Sequence, residues 1–205
     1  MKQFPSTIYK RFLQKQENTA AFQCTTIVAI PNELTIYDLV IFPEHQWQIP
    51  PPDTSIILLP LAGTIGVNCV TFSEELSPSQ LAFASNFDEK SGRITNPYNN
   101  DAVNFLAIQI KKSSFEQRLY TIEFPLFELT HDNFYLAIRK FGNREEYDYH
   151  PQKTSSELLI VCLAGAFEFE NRLVEDREAL RLMAIDKCEM ESLIEDSILL
   201  FIEQY

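Results

Sequence analysis

Short apolar runs punctuate the chain, and one of them occurs twice. SIILLPLAG at residues 55–63 is echoed by ELLIVCLAG at 157–165, both closing on Leu-Ala-Gly, and Gly63 and Gly165 stand 102 positions apart. The echo runs upstream without a gap: EHQWQIPPPDTSIILLPLAG (Glu44–Gly63) against EYDYHPQKTSSELLIVCLAG (Glu146–Gly165). Glu44 matches Glu146, and Trp47 matches the aromatic Tyr149. Shorter apolar pieces follow each run. In the first half they are Thr64–Val70, Gln80–Ala84 and Val103–Ile110; in the second, Ala166–Phe169, Ala179–Met183 and Ser197–Ile202. AFEFE and VNFLAIQI alternate apolar with polar residues, the period-2 mark of a strand with one buried face. The C-E-M-E alternation within residues 186–196 also reads as strand. Ser77-Pro78, Ser91-Gly92, Asn96-Pro97 and Phe141-Gly142-Asn143 supply turns. The pattern predicts an all-β chain with few short helices, in which one small barrel or sandwich is used twice. The polar link Lys111-Lys112-Ser113-Ser114 divides it into domains 1–112 and 113–205.

Composition supports this reading. Of 205 residues 45% are hydrophobic, enough for a core in each half, and 16 Phe and 8 Tyr against 5 Gly favour pleated surfaces. The formal charge of −12 repels phosphate backbones and anionic lipid, so neither nucleic acid nor a membrane is an expected partner. The start, MKQFPSTIYKRFLQ, has charges and a proline where a signal peptide is apolar, and no run approaches the roughly 18 apolar residues of a membrane span. A cytoplasmic location is expected. Cys24, Cys69, Cys162 and Cys188 form no C-x-x-C pair and read as free thiols in a reducing compartment.

Two segments resemble pirin-like proteins. ITNPYNNDAVNFLAIQI (94–110) is similar to the asparagine-rich turn and strand that end the first domain of that family, and LAGAFEFENRLVEDREALRL (163–182) to a stretch of its second domain. The resemblance covers nearly the whole chain and implies a bicupin, two cupin-type jelly-roll barrels in one chain. It also implies an iron ion in the first barrel, held by an H-x-H pair, a further histidine and a glutamate. Quercetin dioxygenation and regulation of transcription through protein partners are activities the family implies.

The ligand residues of that pattern are missing. Counting back from Gly63, the H-x-H positions fall on Ile49 and Pro51, neither of which ligates a metal. The nearby histidine is His45; the others are His131 and His150. In the second half the paired positions hold Pro151 and Lys153, with Glu157 where a glutamate belongs, and His150 is one position out of register. No metal and no cofactor is therefore expected, and no catalytic residue is assigned. There is no G-x-S-x-G elbow, Gly-rich phosphate loop or zinc-type spacing. Glu168, Glu170, Glu175, Asp176 and Glu178 read as a solvated strand face, and Trp47, Tyr147 and Tyr149 as core or mouth packing. Glu44, His45, Gln46 and Trp47 are the candidate ligand-binding residues at the first barrel's mouth. The expected function is a non-enzymatic bicupin that binds a small molecule or a protein partner. The alternative is a metal-dependent, quercetinase-like dioxygenase acting on an aromatic compound. Leu58, Leu61, Leu159, Leu163, Phe105, Phe167 and Phe169 are expected in the core, with side chains filling the barrels.

Overall fold

The structure is a computed structural model that describes residues 4–49, 54–69, 72–85, 92–111, 116–132, 134–153 and 157–205. Pro51 and much of the expected link at 111–114 lie outside the described residues. The first part of the chain forms β1 (Ser6–Tyr9), β2 (Lys15–Asn18), β3 (Phe22–Ile30), β4 (Leu34–Ile41), β5 (Gln46–Gln48), β6 (Thr54–Ala62), β7 (Ile65–Cys69), β8 (Phe72–Leu76), β9 (Gln80–Ala84), β10 (Arg93–Thr95), β11 (Val103–Lys111) and β12 (Arg118–Thr121). The rest forms β13 (Leu126–His131), β14 (Phe134–Phe141), β15 (Glu146–Tyr149), β16 (Glu157–Ala164), β17 (Ala166–Phe169), β18 (Arg172–Glu175), β19 (Ala179–Leu182), β20 (Cys188–Ser192) and β21 (Ser197–Gln204). A 3-10 turn at Arg11–Leu13 is the one helical element among the described residues, and no helix there is long and apolar enough to cross a membrane.

The chain divides into two compact units, residues 14–122 and residues 1–13 with 123–205. The first has a large sheet, β12-β9-β6-β11-β4-β3-β2, and a small one, β5-β10-β7-β8. The second has β1-β19-β16-β21-β14-β13 and β15-β20-β17-β18. Apart from β2, which has no counterpart, the orders correspond strand for strand, so the repeat in the sequence is a repeat of topology. The division differs from the one expected. β12 pairs with β9 of the first unit, and β1 pairs with β19 of the second, Ser6 opposite Leu182 and Tyr9 opposite Ala179.

The Leu-Ala-Gly echo marks the corner where each chain passes from its large sheet to its small one. Along β6, Pro60 lies opposite Phe105 and Ala62 opposite Asn104, so Leu61 is the extra residue of a bulge. Along β16, Cys162 lies opposite Leu199 and Ala164 opposite Ile198, so Leu163 is the same extra residue. Gly63 and Gly165 then turn the chain at φ 74° and 90°, a region that favours glycine. The bulge corrects one expectation: Leu61 leaves the ladder and is only half-buried, whereas Leu163 stays buried. The other expected core residues are buried. Leu58 and Phe105 pack with Ile41, Trp47 and Ile65 in the first unit, and Phe167 and Phe169 with Phe141 and Phe201 in the second.

The N-terminal strand is tied down by one carboxylate. Glu178 is buried and accepts from Lys10 Nζ (2.6 Å), the Arg11 N–H (3.3 Å) and the Glu175 N–H (3.1 Å), while Met183 N–H donates to the Pro5 carbonyl (3.0 Å). Glu178 therefore does not belong to a solvated face as the sequence suggested; it is the anchor of β1. Burial alone would raise its pKa, but the Lys10 ammonium and the two N–H groups outweigh burial and hold it below the usual carboxylate value.

Two expected outcomes follow from this architecture. A Cβ on Gly165 would meet Ser197 Cβ at 2.7 Å and its Cα at 3.1 Å at an already unfavourable φ. Gly165→Ala should lower the midpoint of urea unfolding markedly, while Gly142→Ala, where the nearest atom is a Glu145 carboxylate oxygen at 3.7 Å, should change it little. Glu178→Gln should be less stable than the parent at neutral pH. Because the folded pKa of Glu178 is depressed, the difference should hold above the unfolded carboxylate pKa and fade as pH falls through the folded value. Parallel urea melts between pH 7 and pH 3 measure it.

Candidate functional site

Successive side chains on a strand point to opposite faces, and this decides what each small sheet can present. On the inward face of the first unit's small sheet, Trp47 lies opposite Ile94, and Ile94 opposite Val67. Ile49 is buried beside them. Trp47 is 6% exposed and packs its ring 6.2 Å from Tyr37 and 6.3 Å from Phe105. Indole, sec-butyl and isopropyl groups offer no ligand atom. Among the described residues no three His, Cys, Asp or Glu side chains converge well enough to hold a metal ion. The residues present do not fit the iron site that the resemblance implies.

The four candidate mouth residues are contiguous in sequence; Glu44, His45 and Gln46 are exposed, whereas Trp47 is buried. Glu44 sits in a turn at φ 61° with its N–H donating to the Tyr98 carbonyl (3.1 Å). The His45 carbonyl accepts from the Asn96 N–H (3.0 Å), and its side chain is exposed. Gln46 is exposed on the outer face, and Trp47 points into the core. Asn96, in the asparagine-rich turn, organises this end of the unit. It is buried, and its Nδ2 donates to the carbonyls of Ile41 (3.0 Å) and Asp101 (2.8 Å) while its Oδ1 accepts from the Tyr98 N–H (2.9 Å).

The second unit keeps a polar group inside. Glu203 is fully buried and accepts from the Tyr149 hydroxyl and from the Gln152 N–H (3.0 and 3.1 Å to its two oxygens). Tyr149 stacks on Phe201 with ring centroids 4.9 Å apart. Burial, then the bond to Glu203, pushes the Tyr149 phenol far above its ordinary value, so it remains a donor. Arg139 lies 3.9 Å over the Tyr147 ring and pairs with Glu145 at 3.0 Å. Tyr147 and Tyr149 therefore act as packing groups. His150 is exposed, His131 stacks on Phe134, and Lys153 lies over the Tyr205 ring. Glu157 pairs with Arg181 at 2.5 Å. Nothing in that set converges. Burial pushes the Cys162 and Cys188 thiols up to about 12 and Cys24 up to about 11, so these cysteines are protonated and unreactive.

The outer face of the second unit's small sheet is different in kind. Glu146 lies opposite Glu191, and Glu191 opposite Glu168, so three carboxylates form a row across adjacent strands; Asp148 opposite Glu189 forms a second row. With Glu170 they line a concavity of about 380 Å³. Lys187 bridges Asp148 and Glu189 at 2.9 Å each, and these bonds raise its pKa to about 12. Arg144 reaches Glu191 at 3.0 Å, and Arg172 reaches Glu170 at 3.0 Å. No cation among the described residues pairs with Glu146 or Glu168. Like charges directly opposite one another destabilise a sheet. The fold does not require them, because the same rows in the first unit read Gln46-Thr95-Gly66 and Gln48-Arg93-Asn68. In the sequence Glu168 and Glu170 read only as a solvated face. The available signal was the alternation of acids in E-Y-D-Y and C-E-M-E, but the rows exist only once the strands are in register.

No protein-family model matches the chain, and no curated protein matches it. Solved structures do. The Escherichia coli bacterial pirin YhhW in complex with nickel(II) is 13% identical, with 98% of this chain and 99% of that one covered and a TM-score of 0.80. Protein Ylba from E. coli is 10% identical over 100% and 92% of the two chains, with a TM-score of 0.73. A cupin 2 conserved barrel domain protein from Leptotrichia buccalis is 13% identical over 92% and 91%, with a TM-score of 0.59. At such identities the likeness is one of fold: the chain shares the all-β, two-unit jelly-roll fold of these structures.

Proposed function

We propose that this chain is a non-enzymatic binding protein whose acidic sheet face receives a basic segment of a partner protein. The observation that carries the reading is the row Glu146–Glu191–Glu168, set against the neutral Gln46–Thr95–Gly66 row of the other unit. A feature that costs stability and that the sister unit omits has a use outside folding. Lys187, held between Asp148 and Glu189, shows how an ammonium group is received on this face. The carboxylates are spread along strands instead of converging on a point, which suits an extended Lys- or Arg-bearing segment. The apolar inward face of the first unit supports the non-enzymatic side of the reading, because Trp47, Ile49 and Ile94 have no group for metal or acid–base chemistry.

Titrating the full chain into fluorescein-labelled octalysine, followed by anisotropy, tests this. The expected result is saturable binding that weakens with salt. A Glu146→Gln, Glu168→Gln double variant should weaken it by roughly threefold or more, the scale of two exposed ion pairs. Neutralising Glu74 and Glu75 on β8 should have little effect. Equal losses in both double variants would mean that the net charge alone attracts the peptide, and would overturn the assignment of the face.

A further inference from the structure

The two units differ at one sheet edge. In the first, β3 is covered by β2, with Lys15 to Asn18 opposite Thr26 to Gln23. The topologically equivalent strand of the second unit is β13, which ends its sheet. Among the described residues no strand pairs with its outer side. β13 runs antiparallel to β14, Leu126 opposite Arg139 and His131 opposite Phe134. The bond from the Lys140 N–H to the Pro125 carbonyl (2.8 Å) fixes the alternation of the ladder. Pro125, Phe127, Leu129 and His131 turn their backbone groups towards β14, so Leu126, Glu128 and Thr130 turn theirs outward. All three are exposed.

Proteins blunt open edges with lysine, proline, bulges or unpaired charge. β2 does so for the first unit with Lys15 and Glu17, both exposed. β13, LFELTH, has no lysine, no proline and no register slip. Its one carboxylate, Glu128, is occupied by the Tyr135 hydroxyl at 2.5 Å. Phe124 and Leu126 stand exposed at its start, 51% and 39%.

We propose that β13 pairs antiparallel with β13 of a second copy of this chain about a two-fold axis, joining two six-stranded sheets into one. An antiparallel strand of identical sequence satisfies both edges with one closed symmetry operation. Charge selects the register. With Leu129 on the axis, Glu128 lies opposite Thr130 of the second copy. The neighbouring face-matched registers set Glu128 against Glu128 or against Asp132, and like charges directly opposite are unfavourable. The contact is small, and each copy carries a charge of −12, so the dimer is weak and strengthens as salt screens the repulsion.

Sedimentation equilibrium of the full chain over a range of concentrations, at low and at high salt, reads this directly. A dimer that grows with concentration and with salt is expected. Thr130→Lys places an ammonium opposite Glu128 twice per dimer and should tighten association several-fold; Thr130→Glu should weaken it several-fold. Gln16→Lys and Gln16→Glu make the same charge changes on β2 and should leave it unaltered. Thermal melts confirm that all four variants fold. A monomer at every concentration and salt would overturn the proposal, as would a dimer that responds alike to the changes at Thr130 and Gln16.

Discussion

Each unit depends on one corner. A strand from the large sheet must cross to the small sheet without leaving its inward side chains facing outward, and a single extra residue together with a left-handed glycine accomplishes this. Leu61 with Gly63, and Leu163 with Gly165, are that device. Everything that follows on β7 and β17 inherits its facing from the corner. Ile65 and Val67, or Phe167 and Phe169, then point inward against the residues of β11 and β21. Moving the bulge by one residue would exchange inside for outside along the whole of the next strand.

Because the same corner is built twice, each unit serves as a comparison for the other. The inward rows are apolar in both, Trp47–Ile94–Val67 in one and Tyr147–Met190–Phe169 in the other. The outward rows part company: Gln46, Thr95 and Gly66 with Gln48, Arg93 and Asn68 in the first unit, carboxylates in the second. Packing constrains the inward positions. The outward positions are free of it, and there the two copies have diverged in charge. The edges diverge in the same way, β2 closing one sheet with charged residues where β13 leaves the other open.

Much of this was legible in the chain. The Leu-Ala-Gly echo located both corners, short apolar pieces located β9 and β21, and alternation located β11, β17 and β20. Three things were not legible, for physical reasons. A bulge residue resembles any other apolar residue in a run, so Leu61 read as core. β1 has no local signal of its partner, because β19 lies some 170 residues away and only Glu178 and the Pro5–Met183 bond fix it there. The hairpins β3–β4 and β13–β14 carry apolar residues on both faces, which weakens the two-residue period by which strands are recognised. At the candidate sites the difficulty was register. Trp47 is buried while its neighbours Glu44 to Gln46 are exposed, whereas Glu146, Glu168 and Glu191 are distant in sequence and meet.

The account holds that apolar packing closes the first unit, with Trp47, Ile49 and Ile94 buried in a core whose side chains offer a metal no donor atom. Thermal unfolding of the untagged full chain, after exhaustive EDTA treatment and again with nickel(II) or iron(II) added, measures this most directly. A ligand that binds only the folded state raises the midpoint as its concentration exceeds its dissociation constant. The account predicts the same midpoint with and without metal. A saturable rise complete at one equivalent of metal would contradict it.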